Sequence, residues 1–322
     1  MFSEILSAEA FQNEVLLKPG KHSQANPDVT VVTVCFNPLK DGRRELFARN
    51  LDSVQNQTGV TVEHVIIDGA STDGTLEFLS KYENKCYDIR ILSKPDSGIY
   101  DAMNRGIALA KGKYVIFLNS DDYYHRNDGL ALSYKALEES DCSFTFAPIV
   151  PTGSPLLHRL HRHPERHLHR LFIFPTIPHQ SMLYRRSALI EVNGYDPSYR
   201  MGGDHDLTLR LIASGHKACF VSKAFVTFST GGFSTQAPVL KFQEKVRRVR
   251  RFHKDVFNVE FTDKEIKELV QNYRYPRRYL SVYEASQQMI DRTFIGVPQS
   301  LCQRILRRFN FWKYYLKCLL GF

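Results

Sequence analysis

The chain of 322 residues has six cysteines but no Cys-x-x-Cys pair, and it has no internal repeat and no low-complexity tract. Several cysteines lie within apolar runs, which indicates small buried side chains in a reducing compartment. The N-terminus is acidic and lacks the apolar core of a secretory signal. No run approaches the roughly 18 apolar residues of a membrane span. These absences predict a cytoplasmic protein, either soluble or attached peripherally to the inner face of the cytoplasmic membrane.

Positive charge is concentrated in the last quarter of the chain. The net charge is +9, and residues 241–322 hold 18 Lys and Arg against 8 Asp and Glu. A hydrophobic content of 43% and a charged content of 24% are typical of a globular protein with a sizeable core. We therefore predict an N-terminal extension at 1–28, a main domain at 29–239 and a basic helical region at 240–322.

Short β-branched runs alternate with helical patterns in the first half of the main domain. Strands are predicted at 29–36, 62–68, 88–92 and 113–118, with helices between them at 43–57, 74–82 and 100–110. This alternation predicts an α/β fold with a Rossmann-like, mainly parallel sheet flanked by helices. Ligands bind such sheets beyond the carboxyl ends of the strands.

The second half of the main domain is less regular. Strands are predicted at 143–150 and 179–186, a proline-containing loop at 151–178, and a helix at 204–214. Five histidines lie between residues 156 and 170, where a basic loop is favoured over a zinc site because arginine and proline are interleaved and no cysteine accompanies them.

The fourth predicted strand ends in the polar residues Asn119, Asp121 and Asp122. Carboxylate oxygens are the preferred ligands of Mg²⁺ and Mn²⁺, and Mg²⁺ usually takes one or two carboxylates together with substrate phosphates. The turn therefore suits a site for a metal and a diphosphate. A solvated turn is the alternative explanation for two adjacent acids.

Other strand ends carry further candidates. Asp68 ends the second strand, where a carboxylate at that depth needs a partner. Lys94 and Arg105 are candidate phosphate partners, although Arg105 is four residues from Asp101 and a surface ion pair competes with that role. Asp204 follows two glycines at a helix start, where it is either a helix N-cap or a general base.

The segments VVTVCFN, SVQNQT, VIIDGASTDGT, residues 96–122 and GGDHDLTLRL follow one another in the order and spacing of family 2 glycosyltransferases. This resemblance covers residues 29 to 234. It implies a GT-A fold, inversion at the anomeric carbon, a nucleotide-diphospho-sugar donor with a UDP-sugar favoured, and a divalent cofactor, Mn²⁺ or Mg²⁺.

The resemblance also implies roles for individual residues at the first two strands. It assigns the base and ribose of the donor to Thr33, Phe36 and Asn37, and it implies a hydrogen bond from the base to Asp68.

The later motifs correspond to two further elements of the family. The stretch from Asn119 to Asp122 corresponds to the DxD element, which touches ribose and metal, and Asp204 corresponds to the general base. Because Asn119 replaces the first aspartate, metal binding is expected from Asp121 and Asp122. Gly203 replaces the glutamate of the family's ED element, and the QxxRW motif of processive synthases is absent. The first departure removes a possible acceptor-binding carboxylate and leaves Asp204 as the sole candidate base there. The second, together with the lack of membrane spans, favours the addition of one or a few sugars.

Weaker expectations concern the acceptor. His179, Gln180 and His205 are candidate acceptor contacts, although His205 is equally explained as a plain surface residue. The segment GGFST at 231–235 resembles a loop near the donor phosphates, or is simply a glycine turn. We expect a hexosyltransferase that acts on a lipid-linked or polysaccharide acceptor in a bacterial envelope pathway.

The C-terminal tail has a clear helical pattern. On a helical wheel its apolar residues fall within an arc of about 80°, namely Leu301, Ile305, Phe309, Trp312, Leu316 and Leu319. This basic amphipathic pattern fits an anionic membrane surface, with packing against the protein itself as the alternative. The cluster KVRRVRRFHK at 245–254 adds to the membrane interpretation.

Two other functions compete with sugar transfer. A nucleotidyltransferase also uses acidic metal ligands on a parallel sheet, but its glycine-rich phosphate loop is missing after the first strand. A nucleic-acid-binding protein is disfavoured because the charge is confined to the tail and no recognised module appears. No nucleic-acid partner is therefore expected.

Overall fold

A computed structural model describes residues 26–83, 89–152, 161–230 and 237–297, together with Trp312, Leu316 and Leu320. Its central sheet begins with four parallel strands in the spatial order β4-β1-β2-β3. These are β1 (Val29–Cys35), β2 (Val62–Asp68), β3 (Ile89–Ser93) and β4 (Tyr114–Phe117). Cys35, Asp68 and Ser93 lie side by side in register. The carboxyl ends of three strands therefore meet at one edge, as the sequence predicts.

The remaining strands extend this sheet and form a smaller one. The list comprises β5 (Tyr123–Tyr124), β6 (Phe144–Phe146), β7 (Ile149–Pro151), β8 (Leu183–Arg185), β9 (Ala218–Phe220), β10 (Val226–Phe228) and β11 (Phe294–Ile295). The large sheet has the order β11-β9-β6-β8-β4-β1-β2-β3, in which β8 is antiparallel to both neighbours. The small sheet has the order β5-β10-β7. A mainly parallel α/β fold is confirmed.

Nine α-helices lie within the described residues. They are α1 (Arg44–Gln55), α2 (Thr75–Glu83), α3 (Ile99–Leu109), α4 (Gly129–Glu138), α5 (Arg186–Glu191), α6 (Gly203–Ala213), α7 (Pro238–Phe257), α8 (Asp263–Asn272) and α9 (Leu280–Thr293). Short 3-10 turns include His179–Ser181. Helix α3 approaches the sheet closely at Gly106, where a methyl group would overlap the side chain of Val32. The β-branched strands and the small residue together allow this tight layer packing.

The structure differs from the sequence predictions in several places. The strand predicted at 143–150 is two strands, β6 and β7, which belong to different sheets. The predicted strand at 179–186 is a 3-10 turn followed by β8. Helix α4 was not predicted, and neither were the short strands β5, β9, β10 and β11. Strands of two or three residues are too short to show a period, which explains the omissions.

No helix within the described part of the chain is long and apolar enough to cross a membrane. Most of the predicted amphipathic tail lies outside the described residues. Of its predicted apolar face, Trp312 and Leu316 are described, and they are 54% and 48% exposed. The segment at 231–235 and the histidine at 158 also lie outside the described residues.

Candidate active site

The turn after β4 holds one carboxylate inside the protein. Asp122 is fully buried, and its Oδ1 accepts a hydrogen bond from the backbone N–H of Ser229 at 2.8 Å. Its Oδ2 accepts a bond from Nδ2 of Asn119 at 3.2 Å, and the side chain of Gln180 also donates to the carboxylate. From the opposite side, Nδ2 of Asn50 donates to the carbonyl oxygens of Asn119 and Asp122, at 2.8 Å each. The turn is therefore braced by three distant segments.

The neighbouring carboxylate is in a different position. Asp121 is half-buried. Ser229 donates its hydroxyl to the backbone carbonyl of Asp121, and no side chain among the described residues donates to the Asp121 carboxylate. Burial raises the pKa of Asp121, and the positive charge of Arg43 opposes this shift. Burial and the adjacent Asp121 charge hold the pKa of Asp122 well above its usual range. Asp121 is thus the more open acid of the pair, and its carboxylate feels the charge of Arg43, which the sequence analysis did not select.

A divalent cation fits this turn. Oδ1 of Asn119 is buried and has no hydrogen-bond partner among the described residues, so it is an acceptor without a donor. Together with the carboxylate of Asp121 it offers the hard oxygen ligands that Mg²⁺ and Mn²⁺ prefer. The described residues contain no group of three or more His, Cys, Asp and Glu that could hold a metal. So few protein ligands fit a metal site in which phosphate oxygens of the substrate supply the remaining ligands.

Of the two acids predicted to bind metal, Asp122 is the less accessible. Both of its oxygens already accept hydrogen bonds from the protein, and its side chain has no exposure to solvent. Direct ligation by Asp122 would break these bonds at a buried site, where unpaired donors are costly.

The end of β1 presents one open side chain and two that are occupied. Phe36 is 63% exposed, which is unusual for a large apolar ring. Asn37 has a left-handed backbone (φ 48°), and its Oδ1 accepts a bond from Thr72 N at 2.9 Å. Thr33 is fully buried, and its hydroxyl contacts Nε2 of His64 at 2.9 Å. Thr33 therefore lies inside the sheet with its hydroxyl engaged, and its contact with the donor stays a prediction.

Asp68 is also fully buried and saturated. Its carboxylate accepts bonds from the backbone and hydroxyl of Ser71, and from Oγ of Ser93 at 2.6 Å. The partner that the sequence analysis required is thus a set of serine donors. As the side chain stands, a base would have to displace one of them to reach it.

Asp96 is a site residue that the sequence analysis missed. A side chain at Gly69 would come within 2.8 Å of Asp96 Oδ2 and 3.3 Å of the Phe36 ring, so these three residues converge. Asp96 is half-buried and accepts a bond from Gly98 N at 2.9 Å, while burial raises its pKa. An available signal was its position three residues after β3, at the ligand-binding edge of the sheet.

The two candidate phosphate partners serve the loop after β3. Arg105 donates to Asp101 at 3.0 Å and to the carbonyl of Pro95 at 3.0 Å, which confirms the competing ion pair. Lys94 is half-buried, and its backbone N–H donates to the carbonyl of Asp68 at 2.9 Å. Arg105 therefore supports the loop that carries Asp96.

Asp204 lies in the first turn of α6 and does not cap it. The N-cap is Gly202, without a side-chain cap bond, so the N-cap interpretation of Asp204 is wrong. Its half-buried carboxylate lies 3.5 Å from the hydroxyl of Tyr100. The Asp204 charge also acts on the buried ring of His179, whose pKa burial lowers and whose Nε2 has no partner among the described residues.

His205 is not a surface residue, and both of its ring nitrogens are engaged. It is 3% exposed, with Nε2 2.5 Å from the carbonyl of Leu171 and Nδ1 2.9 Å from Nε of Arg248. Since Nδ1 accepts from a guanidinium, Nε2 carries the proton of a neutral ring. Burial is the main cause that lowers its pKa well below the usual value. The interpretation of His205 as a plain surface residue is therefore wrong, while its contact with the acceptor stays a prediction.

Two curated proteins and two solved structures show what the chain is similar to. A PGL/p-HBAD biosynthesis glycosyltransferase of Mycobacterium tuberculosis is 31% identical over 179 residues, which is 55% of this chain and 65% of the relative. Chondroitin synthase of Pasteurella multocida is 31% identical over 180 residues, 53% of this chain and 18% of the relative. The chain thus spans less than two thirds of the length of these relatives.

Among solved structures, residues 1–349 of S. aureus TarS match with a TM-score of 0.52 at 16% identity, over 83% of this chain and 89% of that one. The mannosyltransferase PcManGT from Pyrobaculum calidifontis, in complex with GDP-Man and Mn²⁺, matches with a TM-score of 0.55 at 15% identity, over 89% and 78%. These likenesses show a shared fold and confirm the predicted GT-A architecture.

The family described as Glycosyl transferase family 2 matches residues 30–192, and this match ends before Asp204. It spans half of the chain and includes all four parallel strands and the turn at Asn119 to Asp122. The chain is therefore a member of glycosyl transferase family 2.

Proposed function

We propose that the protein is an inverting, metal-assisted glycosyltransferase. It would move a sugar from a nucleotide-diphospho-sugar, with a UDP-sugar favoured, to a hydroxyl of a lipid-linked or polysaccharide acceptor. The observation that carries this proposal is the position of the turn at residues 179–181. The ring of His179 lies 5.9 Å from that of Phe117 at the end of β4 and 6.4 Å from that of Tyr195. The Tyr195 ring in turn stacks on Tyr100 at 5.4 Å, and the Tyr100 hydroxyl lies 3.5 Å from Asp204. This arrangement supports a single transfer site that includes both the turn after β4 and Asp204.

The donor's nucleotide would occupy the edge formed by β1, β2 and β3. The exposed ring of Phe36 offers a face on which a base can stack. The carboxylate of Asp96, beside it, can accept a hydrogen bond from a base N–H or a ribose hydroxyl. Gly69 leaves the space between them free of a side chain. Support comes from TarS, for which a complex with UDP-GlcNAc is known, and from the PcManGT complex with GDP-Man.

The donor's diphosphate would lie over the turn after β4. Oδ1 of Asn119 and the carboxylate of Asp121 would hold Mn²⁺ or Mg²⁺, which when bound neutralises the charge that develops on the leaving diphosphate. Arg43, the N-cap residue of α1, adds a positive charge that acts on Asp121. Asp122 holds the amide of Asn119 in the orientation that leaves its oxygen without a donor.

Asp204 would act as the general base. Its carboxylate takes the proton of the acceptor hydroxyl as that oxygen forms a bond to the anomeric carbon. The bond between that carbon and the diphosphate oxygen breaks on the opposite face, and the diphosphate leaves with the bonding electrons. Attack from the face opposite the leaving group inverts the configuration. Tyr100 would orient the carboxylate from one side, and the Nε2 of His179, which has no partner among the described residues, would bond to the acceptor.

The acceptor and location are proposed on coarser grounds. One relative is named a chondroitin synthase, which supports a glycan acceptor. We propose a cytoplasmic enzyme of a bacterial envelope pathway, and the exposed Trp312, Leu316 and Leu320 support contact of the tail with an anionic membrane surface.

A donor panel tests the proposal. Binding of UDP-glucose, UDP-galactose, UDP-GlcNAc and GDP-mannose is measured by calorimetry with Mn²⁺, with Mg²⁺ and with a chelator. We expect one donor to bind in the presence of metal and to undergo slow hydrolysis, whose first product has the inverted anomeric configuration by NMR. A parallel arm with a nucleoside triphosphate and a sugar 1-phosphate should give no reaction. Failure of every donor, or turnover in the parallel arm alone, would overturn the proposal.

A further inference from the structure

Helix α7 forms side-chain hydrogen bonds to the loop that leads into α6. The carboxylate of Glu244 is buried, 6% exposed, and accepts two backbone bonds, from Arg200 N at 2.6 Å and from Met201 N at 2.9 Å. The two oxygens are used separately, one for each N–H. One side chain of α7 therefore fixes two successive peptides immediately before the glycine pair.

One helical turn later, Arg248 also forms hydrogen bonds to this segment. It is 4% exposed, and its Nη1 donates to the carbonyl of Gly202 at 3.1 Å while its Nε donates to Nδ1 of His205 at 2.9 Å. A methyl group at Gly202 would overlap this guanidinium. The backbone before Asp204 and the side chain after it are thus held by the same residue.

Asp204 is confined from the other side by Tyr100. A side chain at Gly203 would come within 2.8 Å of the Tyr100 ring, and the hydroxyl of that ring is the one that lies 3.5 Å from Asp204. The loop is consequently enclosed between α7 and α3.

The spacing of the α7 residues explains the arrangement. Positions 244, 247, 248 and 251 form one face of a helix. On that face Arg247 donates to Oγ of Ser198 at 3.2 Å, and Arg251 pairs with Asp196 at 3.1 Å and with Asp206. The basic cluster at 245–254 is interpreted from the sequence as a membrane contact. Three of its arginines, Arg247, Arg248 and Arg251, bond to the loop before α6 and to the start of that helix.

We propose that Glu244 and Arg248 are positioning residues that set the place of Asp204 in the transfer site. The inference rests on the proposed role of Asp204 as general base. Both residues lie beyond the part of the chain that the family match covers. Neither residue would contact a substrate in this arrangement, because both are buried and hydrogen-bonded to the loop.

The physical argument concerns the cost of buried charge. Apolar residues would pack α7 against α6 without desolvating a carboxylate and a guanidinium. Buried ionic groups that are fully hydrogen-bonded hold one geometry, and a general base needs its geometry held closely. A displacement of 1 Å at a reacting group can reduce the rate by about 100-fold.

Two substitutions with matched controls test the proposal in the 322-residue chain. Glu244→Gln leaves one acceptor oxygen for two N–H groups. Arg248→Lys lacks the planar guanidinium that donates both to the carbonyl of Gly202 and to Nδ1 of His205. We expect kcat to fall by about 10- to 100-fold in each, with the donor KM and the calorimetric donor affinity unchanged. Glu268→Gln and Arg250→Lys are the controls, since Glu268 is exposed on α8 and Arg250 pairs with the exposed Asp263.

A double-mutant cycle separates positioning from general structural support. In an Asp204→Asn background, either substitution should reduce the residual rate by less than about twofold, because there is no base left to position. An undiminished further loss in that background, a parallel loss of donor affinity, or kinetics equal to the controls would each refute the proposal.

Amide hydrogen exchange gives a readout that needs no activity. Glu244→Gln should accelerate exchange at Arg200 and Met201 by about tenfold or more, while amides in β1 stay protected. If Glu244→Gln does not fold, Glu244→Asp replaces it. Wild-type protein that transfers no sugar would refute the proposed function, whereas unchanged exchange in the variant would refute the positioning role separately.

Discussion

Asp122 directs the amide of Asn119. Nδ2 of Asn119 donates to Oδ2 of Asp122 at 3.2 Å, and this bond leaves the opposite amide oxygen buried without a partner. A neutral side chain at the first position of the turn is therefore a fixed acceptor, aimed by the carboxylate three residues later. Burial separates the roles of the two acids: Asp122 orients Asn119, and Asp121 is the one open to a cation.

Replacing Asp122 should weaken the turn. Asp122→Asn replaces one of the two oxygens that accept from Ser229 and Asn119 with an NH2 group, which then faces a donor, and should lower the free energy of unfolding by about 1–3 kcal/mol. Metal affinity should fall about 10- to 100-fold through the misdirected Asn119 oxygen. Urea unfolding and Mn²⁺ titration measure the two effects. Asp141→Asn, which removes an exposed ion pair, should show neither.

Replacing Asp121 should remove the metal dependence of donor binding. Loss of residues that merely orient metal ligands costs about 10- to 100-fold in affinity, so Asp121→Asn should cost at least that much. The stability of the variant should stay near that of the wild type, because the carboxylate is open. Calorimetry of UDP with and without Mn²⁺ is the measurement, and Asp52→Asn on the exposed face of α1 is the control. Retained Mn²⁺-dependent affinity would mean that the ligand lies elsewhere.

Replacing Asp204 should separate binding from transfer. Asp204→Asn keeps the volume and the hydrogen-bond acceptor for Tyr100 but removes the base, which contributes about 10²- to 10⁴-fold. We expect donor affinity to be unchanged and transfer to be lost by that factor. A wild-type rate of transfer would show that another group takes the proton.

Replacing Phe36 should affect nucleotide affinity alone. Stacking of a base on an aromatic ring contributes about 1–3 kcal/mol, so Phe36→Ala should weaken UDP binding about 5- to 150-fold. The ring is 63% exposed, and its loss should leave the thermal midpoint unchanged. Phe36→Trp should retain affinity, and Val239→Ala, at another exposed apolar residue, should have no effect. Equal binding by Phe36→Ala would place the base at another surface.

Acid should destabilise the fold through His64. Burial lowers the pKa of this histidine to about 3, so the unfolded chain binds a proton below its ordinary pKa of about 6.5 and the native state does not. The stability associated with the neutral ring is therefore present above about pH 6.5 and is lost as the pH falls toward 3, at about 1.4 kcal/mol per pH unit. His64→Gln should reduce the slope by that amount in urea unfolding between pH 4 and 7. An unchanged slope would contradict the buried, neutral state.

Much of the fold could be predicted from the sequence. The strands β1 to β4 and the helices between them were found within one or two residues, because runs such as VTVVTVC are long enough to show their periodicity. Helix α4 and the strands of two or three residues were missed because local pattern there is weak. The ion pair of Arg105 with Asp101 was also foreseeable, since both residues lie on one turn of α3.

The sequence by itself determined which strand ends carry the predicted acids, since order along the chain and parallel pairing place Asp68 and Asp121 at one edge. Only the tertiary structure decided which acids are open. Asp68 and Asp122 are closed by donors, and the donor to Asp122 Oδ1 comes from Ser229, 107 residues away. Burial and hydrogen bonding by distant segments leave no trace in local pattern, and for the same reason the grip of α7 on the loop before Asp204 appears only in the folded chain.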